Sequence, residues 1–107
     1  MAHKKLPKKV LAEIRQYKKI LKADKLPITG VYVFGSYAKG VQRIWSDIDV
    51  CVVSPKFKDA WRALTYLTKK VPYGFGWSIE PVGFSPKDFK NKYSSLIQEI
   101  KKYGVRV

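Results

Sequence analysis

Two features within residues 34–50, FGSYAKGVQRIWSDIDV, combine residue types and a spacing that could perform chemistry. A Gly-Ser pair, Gly35 and Ser36, ends one apolar run, and after ten intervening residues Asp47 and Asp49 begin a second. Carboxylates are disfavoured within strands and are costly to bury without a partner. Their place at the start of an apolar segment therefore indicates a requirement other than folding.

The Asp pair has the spacing of a metal site. In a strand, Asp47 and Asp49 share one face while Ile48 and Val50 share the other, at roughly 6.6 Å between the aspartates for ~3.3 Å per residue. Two ionised carboxylates this close repel each other unless a cation lies between them. Mg²⁺ prefers oxygen ligands and takes its remaining ligands from water and substrate phosphates. The pair therefore predicts a Mg²⁺ site.

The Gly-Ser pair and an isolated acid complete the predicted site. Gly35 permits close backbone approach, and a short helix starting at Ser36 would offer free N–H groups to a phosphate. Glu80, within WSIEPVGF, is the only acid between Asp59 and Asp88. On a neighbouring strand it could bind a metal or accept the proton of an attacking hydroxyl. This combination is typical of phosphoryl or nucleotidyl transfer.

Two cations, Lys39 and Arg43, lie in the loop that joins the Gly-Ser pair to the Asp pair. Either would suit contact with a triphosphate, and solvent exposure is the alternative for both. Cys51 falls on the same strand face as the aspartates, and we interpret it as a small core residue beside the site.

The elements that must position these residues follow from hydrophobic periodicity. Apolar, β-branched segments predict three strands, at about 29–34, 47–53 and 77–84. Apolar residues at helical spacing predict helices at 7–23, after Ser54 and at about 94–103, with short helices starting at Ser36 and Ser85 and a short final strand in VRV.

Two of these elements carry specific expectations. Ser54 would cap the central helix with Pro55 in its first turn, and Phe57, Trp61 and Leu64 would share its buried face. Pro81 predicts that the third strand lies at a sheet edge or carries an irregularity in its hydrogen-bond ladder.

The order of the elements indicates the fold class. Strands that alternate with helices predict an α+β fold, α/β-like and two-layered, with a mixed sheet flanked by helices. We expect one domain, 1–107.

Charge dominates the composition, because 22 Lys and Arg oppose 8 Asp and Glu, for a net charge of +14. The electrostatic field of such a charge attracts nucleic acid, nucleotides, membrane surfaces or an acidic protein.

Hydropathy and cysteine content indicate the compartment. No apolar stretch approaches the ~18 residues that would span a bilayer. A single cysteine fits a reducing compartment. We therefore expect a cytoplasmic protein without a membrane span.

The segment GSYAKG…SDIDV resembles the GS-x10-DxD signature of the DNA polymerase β-like nucleotidyltransferase superfamily, and the short chain resembles its minimal nucleotidyltransferases. This resemblance covers about residues 28–84. It implies a mixed sheet with flanking helices. It also implies transfer of a nucleoside monophosphate from an NTP to a hydroxyl, with release of pyrophosphate and with Mg²⁺, expected as two ions.

The resemblance also implies residue roles. By motif position, Gly35 and Ser36 would hold the triphosphate, and Asp47 and Asp49 would hold the metals. Glu80 would be the third carboxylate, at a position where many relatives carry aspartate.

The same resemblance implies a partner. Minimal nucleotidyltransferases resemble antitoxins that pair with small helical HEPN ribonuclease toxins, in which a tyrosine hydroxyl receives AMP from ATP. We expect such a protein adenylyltransferase here. The alternatives are a transferase for a small-molecule hydroxyl and a non-catalytic basic module that binds nucleic acid, although clustered carboxylates do not help to bind a polyanion. For an acidic protein partner, Tyr37, Trp45 and Tyr73 are candidates for the apolar centre of the interface.

Overall fold

A computed structural model gives the fold and describes residues 6–41, 47–72 and 78–107. The strands in these ranges are β1 (Gly30–Phe34), β2 (Ile48–Val53), β3 (Ile79–Phe84) and β4 (Val105–Arg106). The helices are α1 (Lys8–Ala23), α2 (Ser36–Lys39), α3 (Ala60–Lys70) and α4 (Ser95–Tyr103), with a 3₁₀ turn at Asp88–Lys90. The strands that sequence periodicity predicted are present, with bounds shifted by one or two residues.

The four strands form one mixed sheet in the order β3-β2-β1-β4. Strand β1 lies antiparallel to both β2 and β4, whereas β2 and β3 are parallel. Parallel neighbours need a crossover connection, and α3 supplies it. The predicted mixed sheet with flanking helices is confirmed.

Alternation along β2 divides the core between the two faces of the sheet. Val50 and Val52 point into the larger cluster, in which α1 and α3 cover the sheet. Cys51 and Val53 point into a smaller cluster on the other face, where they meet Ile97 and neighbouring residues of α4. Asp49 therefore lies on the face that α4 covers, at the end of the strand.

Helix α3 begins later than the sequence predicted. Asp59 is its cap and accepts a hydrogen bond from the Arg62 N–H at 2.7 Å, so the expected start at Ser54 and Pro55 is wrong. The Ser54 hydroxyl instead accepts the Lys56 N–H at 3.2 Å and closes a turn. Local sequence allowed both caps, and the packing of Phe57 within that turn favours the later one.

The later start changes which side of α3 is buried. Ala63 and Leu67 are fully buried against the sheet, and Phe57 packs from the preceding turn. The predicted buried positions Trp61 and Leu64 are wrong, because they are 75% and 37% exposed.

Strand β3 is an edge strand, as Pro81 indicated. Ile48 N–H donates to Ser78 O at 2.7 Å and Ser54 N–H donates to Phe84 O at 3.0 Å. Since bonding alternates along a parallel strand, even-numbered residues of β3 bond β2 and Pro81 turns its nitrogen to the open edge. A proline there protects the edge from further strand pairing.

Among the residues that the structure describes, no helix is both long enough and apolar enough to cross a bilayer.

Candidate active site

The turn after β1 brings Gly35 against Asp49. Phe34 is the register partner of Asp49 across the β1–β2 pair, so the next residue lies beside that carboxylate. Gly35 has φ 73° and ψ −146°, a backbone conformation that L-residues with a side chain rarely adopt. A Cβ at this position would lie 3.1 Å from Asp49 Cγ and would overlap its Oδ2. The turn and the carboxylate are therefore in direct contact, and only glycine allows it.

Helix α2 begins at Ser36, as predicted. Its first intrahelical bond runs from the Lys39 N–H to Gly35 O at 3.1 Å. The N–H groups of Ser36, Tyr37 and Ala38 precede that bond and have no acceptor within the helix. They open toward the same turn as Gly35, which is the arrangement that suits a phosphate.

The parallel pairing of β2 and β3 places Glu80 directly opposite Asp49. Asp47 precedes β2 and is exposed, Asp49 is partly buried and Glu80 is exposed. We call these three residues the carboxylate cluster. The structure thus brings together the three acids that the sequence singled out, beside the Gly35–Ser36 turn.

Two carboxyl groups of the carboxylate cluster have raised pKa values. Burial raises the pKa of Asp49 first, and the carboxylates of Asp47 and Glu99 raise it further. A hydrogen bond with Asp47 is the main cause of the raised pKa of Glu80, followed by burial and by the charges of Asp47 and Asp49. Three carboxylates in so small a volume crowd negative charge at this end of the sheet.

The donor set fits a divalent cation. All its ligands would be hard carboxylate oxygens, and a cation would relieve the repulsion that otherwise favours protonation. Within residues 6–41, 47–72 and 78–107, no three His, Cys, Asp or Glu side chains are already arranged to enclose a metal. Mg²⁺ usually takes its remaining ligands from water and substrate phosphates.

Glu99 is a neighbour of the site that sequence reasoning missed. It lies on α4, its charge raises the pKa of Asp49, and its Oε1 is 3.3 Å from Lys39 Nζ. Lys39 also lies over the Tyr103 ring at 5.2 Å. The sequence offered one signal: Glu99 is the only acid after Asp88. Its place beside Asp49 depends on how α4 crosses the sheet.

Other predicted residues divide into two groups. Arg43, Trp45 and Tyr73 lie outside the described residues. Tyr37 is partly buried against the larger core cluster, so it is not a freely exposed aromatic. Cys51 is fully buried, and burial raises the pKa of its thiol to about 12, which agrees with a core role.

A cleft of about 360 Å³ adjoins the carboxylate cluster. Asp49 and Glu80 line one side, and Leu64 and Thr68 of α3 line another. The cleft lies along the open edge of β3, which also lines it with Ile79, Pro81 and Val82.

Comparison with known proteins identifies the family of this chain. A family model described as "Nucleotidyltransferase domain" matches residues 14–107. A relative from Methanocaldococcus jannaschii, named "Putative protein adenylyltransferase MJ1379", is 41% identical over 70 residues, which are 57% of this chain and 69% of that protein.

Solved structures show the same fold. One, described as "Crystal structure of the toxin-antitoxin with AMP-PNP", has a TM-score of 0.62 and 26% identity, and the match covers 89% of this chain and 69% of the other. Another, a "putative nucleotidyltransferase from Sulfolobus solfataricus", has a TM-score of 0.56 and 21% identity, with coverage of 98% and 90%. A toxin-antitoxin MntA-HpeT variant has a TM-score of 0.60 and 22% identity, with coverage of 86% and 69%.

Proposed function

Because this chain belongs to the nucleotidyltransferase domain family, we propose that it transfers AMP from ATP to a hydroxyl of a partner protein. The observation that carries the proposal is the contact between the Gly35–Ser36 turn and Asp49, since a Cβ on Gly35 would overlap that carboxylate. A triphosphate on the turn and a cation on the carboxylates would then be immediate neighbours.

The residue roles follow from the positions of the groups. The first N–H groups of α2 bind the triphosphate, and Lys39 lies at the far end of this short helix. Asp47 and Asp49 hold Mg²⁺, proposed as two ions with Glu80 as a third ligand. When bound, the metal neutralises the charge that develops on the reacting phosphates and on the departing pyrophosphate. Arg43, one of the two loop cations that would suit contact with a triphosphate, has that role in the proposal.

We propose that Glu80 acts on the acceptor. The acceptor hydroxyl oxygen forms a bond to the α-phosphorus, the bond from that phosphorus to the pyrophosphate oxygen breaks, and the hydroxyl proton passes to a carboxylate. Glu80 lines the cleft from which an acceptor would approach, so its carboxylate could accept that proton.

The acceptor surface is proposed to continue from the cleft along α3. Trp61, Leu64 and Thr68 lie on one side of the helix at spacings of three and four residues, and Trp61 is 75% exposed. Seven residues of helix span about 10 Å, a distance that a protein interface of standard size covers. Pro81 disfavours strand addition at the neighbouring edge, so the partner would dock through side chains.

The partner is proposed to be a toxin of the HEPN type, with a tyrosine as the acceptor. Support comes from the name of the Methanocaldococcus relative and from the toxin-antitoxin structure that contains AMP-PNP. The MntA-HpeT variant replaces two aspartates, two positions apart, by glutamate, the same spacing as Asp47 and Asp49. The net charge of +14 favours an acidic partner.

A mass measurement on a purified pair tests the proposal. The chain is incubated with Mg-ATP and the protein encoded by the adjacent gene, and the intact masses of both are measured. We expect the partner to gain AMP at a tyrosine, and Asp47→Asn to abolish the gain.

Three other results would contradict the proposal. An adduct on added small hydroxyl compounds, with none on protein, would favour a small-molecule transferase. Tight RNA binding without any transfer would favour a non-catalytic nucleic-acid module. A gain that Asp47→Asn leaves intact would place the chemistry elsewhere.

A further inference from the structure

A pocket lined by cations lies at the end of the sheet opposite the carboxylate cluster. It opens where α1 ends, β2 ends and α3 begins, and its volume is about 510 Å³, a size typical of ligand sites. Lys25, Lys56, Lys58 and Arg62 line it, and we call it the basic pocket. The length of β2 separates it from Asp49 by roughly 13 Å at ~3.3 Å per residue.

Asp24, the single acid among the described residues that line the basic pocket, is already engaged. Asp24 accepts a hydrogen bond from the Tyr66 hydroxyl and lies 3.4 Å from Lys70 Nζ. The hydrogen bond from Tyr66, and then Lys70, hold the pKa of Asp24 below its usual value. Tyr66 and Lys70 thus compensate the charge of Asp24, so it does not neutralise the lysines of the pocket.

Three lysines keep an uncompensated charge at the rim. Arg62 pairs with Asp59 at 3.4 Å, but Lys25, Lys56 and Lys58 form no ion pair with any acid among the described residues. Three ammonium groups around one concavity repel one another, and an anionic ligand would relieve that repulsion.

Lys25 occupies a backbone position that ordinarily favours glycine. It has φ 62°, its N–H donates to Lys22 O at 2.9 Å, and the next N–H, of Leu26, donates to Leu21 O at 3.1 Å. This is the usual left-handed end of a helix, where glycine is preferred. A lysine there bears backbone strain that glycine would not, and it adds a cation to the rim.

The other two lysines are held by a rigid turn. Ser54 is fully buried. Its hydroxyl accepts the Lys56 N–H and its carbonyl accepts the Phe57 N–H, both at 3.2 Å. Phe57 points inward and is 7% exposed, so Lys56 and Lys58 flank it on the outside.

The floor of the basic pocket is aromatic. The rings of Phe57 and Tyr66 lie 6.2 Å apart between centroids, and Leu26 completes the apolar surface. The two rings are inclined at 58° to each other, so a base would pack on one ring at a time. An apolar floor beneath a ring of cations nevertheless matches the two parts of a nucleotide, since a base packs on an aromatic ring while lysines meet phosphates.

We propose that the basic pocket binds a segment of single-stranded nucleic acid, with phosphates on Lys25, Lys56 and Lys58 and a base against the floor. This site is separate from the carboxylate cluster and does not require the proposed transfer activity. A free nucleotide has the same chemistry, but a chain of phosphates is favoured because the cations are distributed around the rim.

Fluorescence anisotropy with a labelled oligouridine of about 12 nucleotides tests the proposal. EDTA in the buffer excludes metal-dependent binding at the carboxylate cluster. The variant is Lys56→Ala with Lys58→Ala, and the matched control is Lys90→Ala with Lys92→Ala, which removes the same charge from exposed positions elsewhere. Lys25→Gly is a second variant, which removes a cation from the pocket and relieves backbone strain, so it tests binding without a loss of folding.

We expect the Lys56/Lys58 variant to weaken binding about tenfold and to lower the log–log salt slope by about 1.4, for two phosphate contacts at ~0.7 each. The control should change affinity by less than about threefold. Lys25→Gly should weaken binding while raising the melting temperature.

Equal losses in the variant and the control would overturn the proposal, because binding would then depend on net charge alone. Displacement of the RNA by polyglutamate at the same charge concentration would assign the basic pocket to an acidic protein. Displacement by AMP as effective as by unlabelled oligouridine would identify a free nucleotide as the ligand and would overturn the choice of nucleic acid.

Discussion

Replacing Gly35 by alanine is the sharpest test of the site, because one methyl group should disturb both the phosphate turn and a metal-binding carboxylate. The backbone at φ 73° and ψ −146° costs a residue with a side chain about 1–3 kcal/mol. The new Cβ would also overlap Asp49 Oδ2, and overpacking of this kind costs about 1–3 kcal/mol. The sum is about 2–6 kcal/mol, which predicts a fall in melting temperature of at least about 8 °C for a chain of this size.

Gly83→Ala provides a matched control for that loss of stability. A Cβ on Gly83 would lie 2.8 Å from side-chain atoms of Ala63, Leu67 and Phe57, in the core between β3 and α3. Overpacking there costs about 1–3 kcal/mol without touching the carboxylate cluster. Both variants thus lose stability through one added methyl group, but only Gly35→Ala places that methyl group at the candidate active site.

The assay compares AMP transfer and ATP binding in the two variants at a temperature well below both unfolding transitions. We expect Gly35→Ala to lose at least about 100-fold in transfer, since misplacement by about 1 Å is enough for such a loss. Gly83→Ala should keep transfer close to that of the unaltered chain. Comparable activity in the two variants would refute the reasoning, because contact between the turn and Asp49 would then be irrelevant to catalysis.

Three further predictions concern the carboxylate cluster and its surroundings. The raised pKa of Asp49 means that, in EDTA, its contribution to stability is present at acid pH and is lost as pH rises through the folded-state pKa. Asp49→Asn should therefore raise the melting temperature at pH 7 and abolish transfer, while Asp88→Asn does neither; a destabilised Asp49→Asn protein would contradict this. Glu80→Gln should retain ATP binding by calorimetry and lose transfer, and full activity would reduce Glu80 to a polar residue at a strand edge. Trp61→Ala should slow transfer to the partner protein without changing the affinity for ATP. Tyr93→Ala, at a side chain that is 93% exposed, should leave the rate of transfer unchanged. Equal effects of the two substitutions on the rate of transfer would show that α3 is not part of the docking surface.

Sequence alone was sufficient for the features that depend on neighbouring residues. Alternation with period two predicted that Val50 and Val52 would lie on the opposite face of β2 from Cys51 and Val53, as they do, and the Gly-Ser pair predicted a turn into a short helix. The resemblance that this motif carried is confirmed at the level of the family. The roles of Gly35, Ser36 and the three acids remain predictions, although the structure brings these residues together.

Tertiary structure decided what depends on contacts between distant segments. Parallel pairing of β2 with β3 sets Glu80 opposite Asp49, and a shift of one residue would have turned it to the other face. The path of α4 brings Glu99 beside Lys39, which a helical pattern by itself does not reveal. Local signals allowed a helix capped at Ser54, but packing of Phe57 moved the start to Ala60 and left Trp61 exposed. Periodicity within an element is set by backbone geometry, whereas the choice of neighbours is set by which apolar faces can be buried together.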